Sequence, residues 1–362
     1  MPVPLFDPVS PRAPLRADLR AAVHRVLDGG AFVLGPEVEA FETEFAAYLG
    51  AGHAVGVANG TEAITVALRA LGVGPGDEVV VPSFTFWASA EAIPPTGAVP
   101  VFCDVDPDTM CVTAETVKAA LTPRTKAVIV VHLFGNVAPV REIEALGVPV
   151  LEDAAQAAGS VGADGRPGAL GTIATFSFYP SKNLGAFGDG GAITTGDAAL
   201  AERVRTLRFH GSADKVDYVD IGYNSRLDEL QAAILRVQLP HLDAWAAARA
   251  DAGDRYAAAL DGVVDLPRAT PGTRAAWHLY VIRHAAADRL KTALDAAGIG
   301  ARAYYRTPVH EQPPMRQWAP AHDLPGTAEA ARTHLAIPMG AALTAAQADE
   351  VCTAITSALA AA

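Results

Sequence analysis

Thr175-Phe176-Ser177-Phe178-Tyr179-Pro180-Ser181-Lys182-Asn183-Leu184-Gly185 runs on into Gly188-Asp189-Gly190-Gly191-Ala192-Ile193-Thr194-Thr195. This reads as a buried strand from Ile173 to Phe178, a turn at Pro180 and one lysine facing a run of glycines, with a second strand, Ala192 to Thr195, leading away. Alternation along Phe176-Ser177-Phe178 puts the serine hydroxyl on the opposite face from both rings. The chain holds only five lysines, Lys118, Lys126, Lys182, Lys215 and Lys291, against 23 arginines. Where arginine is the default cation, a lysine among hydroxyls and glycines points to an amine that must lose its proton, as arginine cannot. Taken alone, Lys182 also fits a solvated loop. The segments before it decide.

Upstream, short Val/Ile/Leu-rich runs alternate with helical stretches. Ala54 to Ala58 precedes a helix over Thr61 to Leu71, and Glu78 to Val81 precedes one over Phe84 to Ile93. Val99 to Val105, Ala127 to Leu133 and Val148 to Leu151 follow, with helices Ala114 to Leu121 and Val140 to Leu146 between them. Strands this uniformly apolar indicate a mostly parallel sheet covered on both faces. Such sheets bind ligands beyond the carboxyl ends of their strands. Before the sheet, Leu15 to Leu27 and Glu37 to Leu49 read as amphipathic helices, the second with Val38, Phe41, Phe45 and Leu49 on one face.

Three strand-end loops then matter. Asn59-Gly60-Thr61 pairs a glycine turn with a hydroxyl at a helix start, a possible phosphate cradle, although Thr61 as a plain helix cap explains it too. It is neither a P-loop nor a GxGxxG fingerprint. Phe84-Thr85-Phe86-Trp87 offers three aromatics, either core or a face for a planar ring. Glu152-Asp153-Ala154-Ala155-Gln156 places two acids at a strand end; Asp153 is a helix cap with a solvated Glu152, or the partner of a protonated ring nitrogen with Gln156 beside it. A phosphate cradle, an aromatic plane, a carboxylate and a Schiff-base lysine are together what a pyridoxal 5'-phosphate (PLP) enzyme requires.

Net charge is −12 with 51% hydrophobic and 19% charged residues, which disfavours nucleic acid and anionic membranes as partners. The longest apolar run is far too short to span a bilayer, and the proline-bearing N-terminal stretch does not read as a signal peptide. Cys103, Cys111 and Cys352 have neither metal-ligand spacing nor a disulfide framework, so a cytoplasmic setting is expected.

The chain resembles the DegT/StrS-type PLP-dependent sugar aminotransferases. The resemblance is carried by Leu34-Gly35-Pro36-Glu37-Val38, Ala58-Asn59-Gly60-Thr61-Glu62-Ala63, Val131-His132-Leu133-Phe134-Gly135, Glu152 to Gln156, Phe176 to Thr195 and Gly222-Tyr223-Asn224-Ser225-Arg226-Leu227-Asp228-Glu229. It implies a fold-type I α/β chain: a large cofactor domain over residues 1–240, with a mostly parallel seven-stranded sheet, and a smaller C-terminal α/β domain over 241–362. It implies a cytoplasmic homodimer with shared active sites. Lys182 would form the Schiff base, Asp153 would face the pyridine nitrogen and Gln156 the ring hydroxyl, and Phe86 would stack on the ring. Gly60, Thr61 and Ser177 would hold the phosphate, with Asn224 reaching in from the partner subunit. Arg226 and Tyr305 would contact substrate. The expected reaction moves an amino group from L-glutamate to a nucleotide-linked keto-sugar, by analogy at C3 of a dTDP-3-keto-6-deoxyhexose. Amination at C4, or a non-catalytic regulatory role on the same fold, are the alternatives. The family's His-Tyr-Pro is here Tyr304-Tyr305-Arg306, a departure beside the sugar pocket, and His310 downstream reads as structural.

Overall fold

The structure is a computed structural model that describes residues 2–360; Met1, Ala361 and Ala362, the outermost residues of the two expected domains, lie outside the described residues. Helices α1 (Arg16–Gly29) and α2 (Pro36–Leu49) precede a seven-stranded sheet. Its strands are β1 (His53–Val57), β2 (Glu78–Pro82), β3 (Val99–Cys103), β4 (Thr125–Val131), β5 (Val150–Asp153), β6 (Ile173–Ser177) and β7 (Gly191–Thr195). Helices α3 (Gly60–Ala70), α4 (Ala88–Glu91), α5 (Ala114–Ala120) and α6 (Val140–Glu144) connect them. The spatial order is β1-β7-β6-β5-β4-β2-β3, parallel except for β7, which runs antiparallel to both neighbours. Ala127, Val128, Ile129 and Val130 of β4 are all at most 1% exposed, as a central strand covered on both faces must be.

The apolar face read in α2 is real. Phe41 and Phe45 meet Phe176 of β6 and Phe178 just beyond it with ring centroids 4.9–5.4 Å apart, edge to face. Burying these two rings against α2 turns Ser177 to the other side of the sheet. The carboxylate of Glu229 then caps α2 from below, accepting from the amides of Gly35, Glu37 and Val38 at 2.8–2.9 Å.

Beyond β7 come α7 (Ala198–Arg208), α8 (Glu229–Gln238) and α9 (Leu242–Leu260), the last two separated by a turn holding Pro240. A second sheet pairs β8 (Tyr280–Arg283) antiparallel with β9 (His334–Ile337), flanked by α10 (Ala287–Ala296), α11 (Pro325–Thr333) and α12 (Ala345–Ala360). Tyr256, Leu260, Ile282, Leu290, Leu335 and Ile355 form its core. Val3 bridges to Ile299 and joins that core, while Val309, Met315 and Leu324 pack on the larger one.

Three local readings change. The helix expected over Phe84 to Ile93 shrinks to the single turn α4, because Pro94 and Pro95 end it and Phe84 is drawn into the core. Helix α7 was not anticipated, although its Asp197 cap and buried Ala201, Val204 and Leu207 carry a helical period. Finally, β5 extends through Glu152 and Asp153, so both acids belong to the strand and point to opposite faces.

Candidate active site

Glu152 is not solvated. It is fully buried and takes hydrogen bonds from the amides of Gly168, Leu170 and Gly171 at 2.7–3.0 Å and from His132 Nε2 at 2.9 Å. His132 Nδ1 accepts from the Ala138 amide, so Nε2 is the nitrogen that carries the hydrogen. Every strong acceptor position of the carboxylate is thus met, and the strand end bearing Asp153 is pinned.

Asp153 faces the other way, into a cavity of about 680 Å3 at the carboxyl edge of the large sheet, a size usual for ligand sites. Its Oδ2 accepts from Ser89 Oγ at 2.7 Å and its Oδ1 from the Ala155 amide at 3.2 Å. Thr85 Oγ1 lies 3.0 Å from Ser89 Oγ and extends the chain of hydroxyls. Two acceptor positions remain for a further donor. Sequence reading passed over Thr85 and Ser89; their four-residue spacing around an aromatic was the available signal.

The three aromatics after β2 divide as their environments dictate. Phe84 is fully buried, Trp87 half-buried, and Phe86 is 53% exposed at the cavity. At the start of α3 the helix cap is Asn59, whose Oδ1 accepts from the Glu62 amide at 2.9 Å. The plain-cap reading of Thr61 is therefore wrong, and its hydroxyl lines the cavity instead. Gly60 is there by necessity: a Cβ would lie 2.7 Å from the Cβ of Ser177. That close approach brings the first amides of α3 and the Ser177 hydroxyl to one end of the cavity.

Lys182 lies on the cavity wall. Burial lowers its amine to about 8, against a smaller opposing pull from Asp153. Its loop is braced from elsewhere in the chain. Arg12 Nη2 donates to the carbonyls of Pro180 and Gly185 at 3.0 and 3.1 Å, its Nε to Gln238 Oε1 at 2.8 Å, and Gln238 Nε2 to Gly185 O at 2.9 Å. Gln156 is fixed by the Phe134 amide (2.7 Å to its Oε1) and reaches the Tyr305 hydroxyl at 3.4 Å. Tyr305 is stacked on Phe134, and burial pushes its phenol well above the ordinary range.

The cavity thus gathers Gly60, Thr61, Phe86, Asp153, Gln156, Ser177, Lys182 and Tyr305. Asn224 and Arg226 are not among its walls; they bond to each other on the same chain, outside it. Tyr304 does line it, whereas Arg306 turns away to Asp288 and the carbonyl of Ala331. Only the first of these two departures can therefore touch a ligand here. His310 is bonded to Ser83 beneath the site, in keeping with a structural role.

The profile of the DegT/DnrJ/EryC1/StrS aminotransferase family matches residues 14–356. The chain belongs to this family. A dTDP-3-amino-3,4,6-trideoxy-alpha-D-glucose transaminase from Streptomyces venezuelae is 46% identical over 345 residues, covering 93% of this chain and 91% of the relative. A UDP-N-acetyl-3-dehydro-alpha-D-glucosamine 3-aminotransferase from Acidithiobacillus ferrooxidans is 45% identical over 342 residues, covering 93% and 92%. The crystal structure of DesV from S. venezuelae, in complex with a ketimine intermediate, matches with a TM-score of 0.95 at 45% identity, over 98% of both chains.

The DegT/DnrJ/EryC1/StrS enzymes are PLP-dependent, and the mostly parallel seven-stranded sheet is the fold of their solved structures. The residues here fit that cofactor. An uncommitted threonine hydroxyl and first-turn amides suit a phosphate, an exposed ring suits a planar heterocycle, and Asp153 keeps room for a pyridinium N–H. Within this family member, Lys182 is the cavity's one lysine. Among the described residues no helix is long and apolar enough to cross a membrane, and no cluster of side chains could hold a metal ion.

Proposed function

We propose that this enzyme transfers the amino group of L-glutamate to C3 of a dTDP-linked 3-keto-6-deoxyhexose, as a homodimer whose two sites are each completed by the partner. The observation that carries the reaction class is Lys182: an amine lowered to about 8 on the wall of a ligand-sized cavity that it shares with Asp153. Bound PLP supplies an aldehyde and an electron-accepting ring. Lys182 would hold the cofactor through its amine and, as a free amine, would move a proton. Asp153, steadied by Ser89, would keep the ring nitrogen protonated; Phe86 would cover the ring face and Gln156 would orient its hydroxyl edge. Gly60, Thr61 and Ser177 would anchor the phosphate.

Position C3 is supported by the two relatives, both of which are named for C3 chemistry although their nucleotides differ. The wording Arg226-Leu227-Asp228-Glu229 also favours it over C4. A panel of 3-keto and 4-keto nucleotide sugars with 15N-glutamate, read by mass spectrometry, tests this directly. Label at C4, or from no keto-sugar at all, would remove the assignment.

The dimer is supported by what the single chain leaves uncovered. Val216, Tyr218, Val219 and Ile221 are 61–81% exposed on the loop that leads to Asn224 and Arg226. Such a patch on a soluble surface marks an interaction site. Asn224→Ala is expected to weaken cofactor binding on titration of the apo-enzyme. Mixing it with Lys182→Ala should restore about a quarter of wild-type activity, since each mixed dimer would contain one intact site. No recovery on mixing would place Asn224 in its own chain's site or in none.

A further inference from the structure

One cation of the cavity has no assigned work. Arg249, from α9, lines the main cavity and, together with Lys182, also a small cleft of about 30 Å3 behind it. Its only side-chain hydrogen bond among the described residues is from Nη1 to the carbonyl of Trp277, at 3.0 Å. Among the described residues no carboxylate pairs with it; burial acts on it and lowers it to about 10. Half-buried Arg12 likewise lacks an acid, but it is met by two backbone carbonyls and the Gln238 amide oxygen, whereas Arg249 keeps most of its donors for a ligand. Trp277 holds a positive φ of 34°, an expensive conformation for a bulky residue. That bend offers its carbonyl to Arg249 and brings the next residue, His278, into the cavity wall. His278 is driven far below its usual range by burial and then by the charges of Lys182 and Arg249, so it stays neutral and leaves the arginine as the cation on this wall. Arg302 stands on the cavity as well, its guanidinium 4.8 Å above the Tyr304 ring and in no ion pair among the described residues.

We propose that Arg249, assisted by Arg302, binds the α-carboxylate of the amino donor and thereby selects an α-amino acid over a simple amine. This rests on the aminotransferase reading above. The choice of a carboxylate over a nucleotide diphosphate follows from distance. The carbon that loses its hydrogen to Lys182 carries the α-carboxylate directly, with oxygens about 2.4 Å away. A diphosphate is held off from the reacting carbon by the rest of the sugar ring. The guanidinium that shares both cavity walls with Lys182 therefore suits the nearer anion. Planar, bidentate recognition is also what arginine does and lysine does not.

The test uses holoenzyme in separate half-reactions. In the wild type, glutamate should convert the cofactor spectrum while 4-aminobutyrate, which lacks an α-carboxylate, reacts at least about 100-fold less well. Glutarate should compete with glutamate. Arg249→Ala should weaken donor and glutarate binding by about 10- to 100-fold and shrink the preference for glutamate over 4-aminobutyrate, with dTDP affinity within twofold of wild type; Arg249→Lys should recover only part. A wild type indifferent to the α-carboxylate, or an Arg249→Ala enzyme that loses dTDP affinity while keeping that for glutarate, overturns the assignment. Calorimetric titration with glutarate and dTDP supplies a readout independent of turnover. A wild type that reacts with no amino acid defeats the aminotransferase reading itself, whereas normal donor chemistry in Arg249→Ala defeats this inference alone.

Discussion

Lys182→Ala is expected to abolish covalent attachment of the cofactor and to cut turnover by about 10⁴-fold, the upper range for losing a positioned proton carrier. Borohydride treatment followed by denaturation should leave a labelled peptide in the wild type and none in the variant. A label that persists elsewhere would move the role to another amine. The pH dependence has a definite sign. Burial lowers the amine to about 8, so the neutral, nucleophilic form gains ground as pH rises through that value. At pH 7 about one molecule in ten is already neutral, against fewer than about one in a thousand for an ordinary lysine. Attachment of the aldehyde to apo-enzyme should therefore accelerate up to about pH 8 and level off above it. A rate still rising steeply at pH 10 would mean that the amine is solvated.

Asp153→Asn is the second large effect. A carboxylate about 4 Å from a protonated ring nitrogen is worth on the order of 4 kcal/mol at an effective dielectric of 20, before desolvation. Losing most of that in the rate-limiting state corresponds to a fall of about 10²- to 10³-fold in kcat. The amide keeps the size of the side chain and can still accept from Ser89, so cofactor should remain bound in part. Cofactor content by absorbance and kcat by coupled assay separate the two quantities. Near-normal turnover would remove Asp153 from the chemistry.

The order of β and α units, the lysine at the Pro180 turn and the acid at the end of β5 were legible because each is local. Continuous apolar runs dictate a sheet covered on both faces, and a Phe-Ser-Phe strand fixes which side faces the ligand. Asp153 and Lys182 were readable from composition, since acids end an apolar strand and lysines are scarce. What the sequence concealed depends on distant partners. Glu152 looked solvated because His132 and the loop at Gly168 that neutralise it lie 16–20 residues away in the chain. Arg249 carries no sequence signal that sets it apart from the other arginines, and only the fold sets it on the same cavity walls as Lys182. The cap proved to be Asn59 rather than Thr61, which a two-residue shift in helix start decides. The positions of Asn224 and Arg226 outside their own cavity could not be read from the residues themselves, since a bend just before α8 fits any number of topologies; only the family resemblance pointed Asn224 away from its own chain's site.

The brace around the Pro180 turn has a consequence for how the enzyme tolerates its own chemistry. Arg12 is met there by two backbone carbonyls and an amide oxygen, none of which gains or loses a proton in the working range. In the proposed reaction the amine at position 182 would change charge state each cycle, while the framework carrying it is held by partners indifferent to that change. A brace of this kind gives the loop no electrostatic reason to open or tighten as a proton comes and goes, so under the proposed reaction the nitrogen would return to the same place after every turnover.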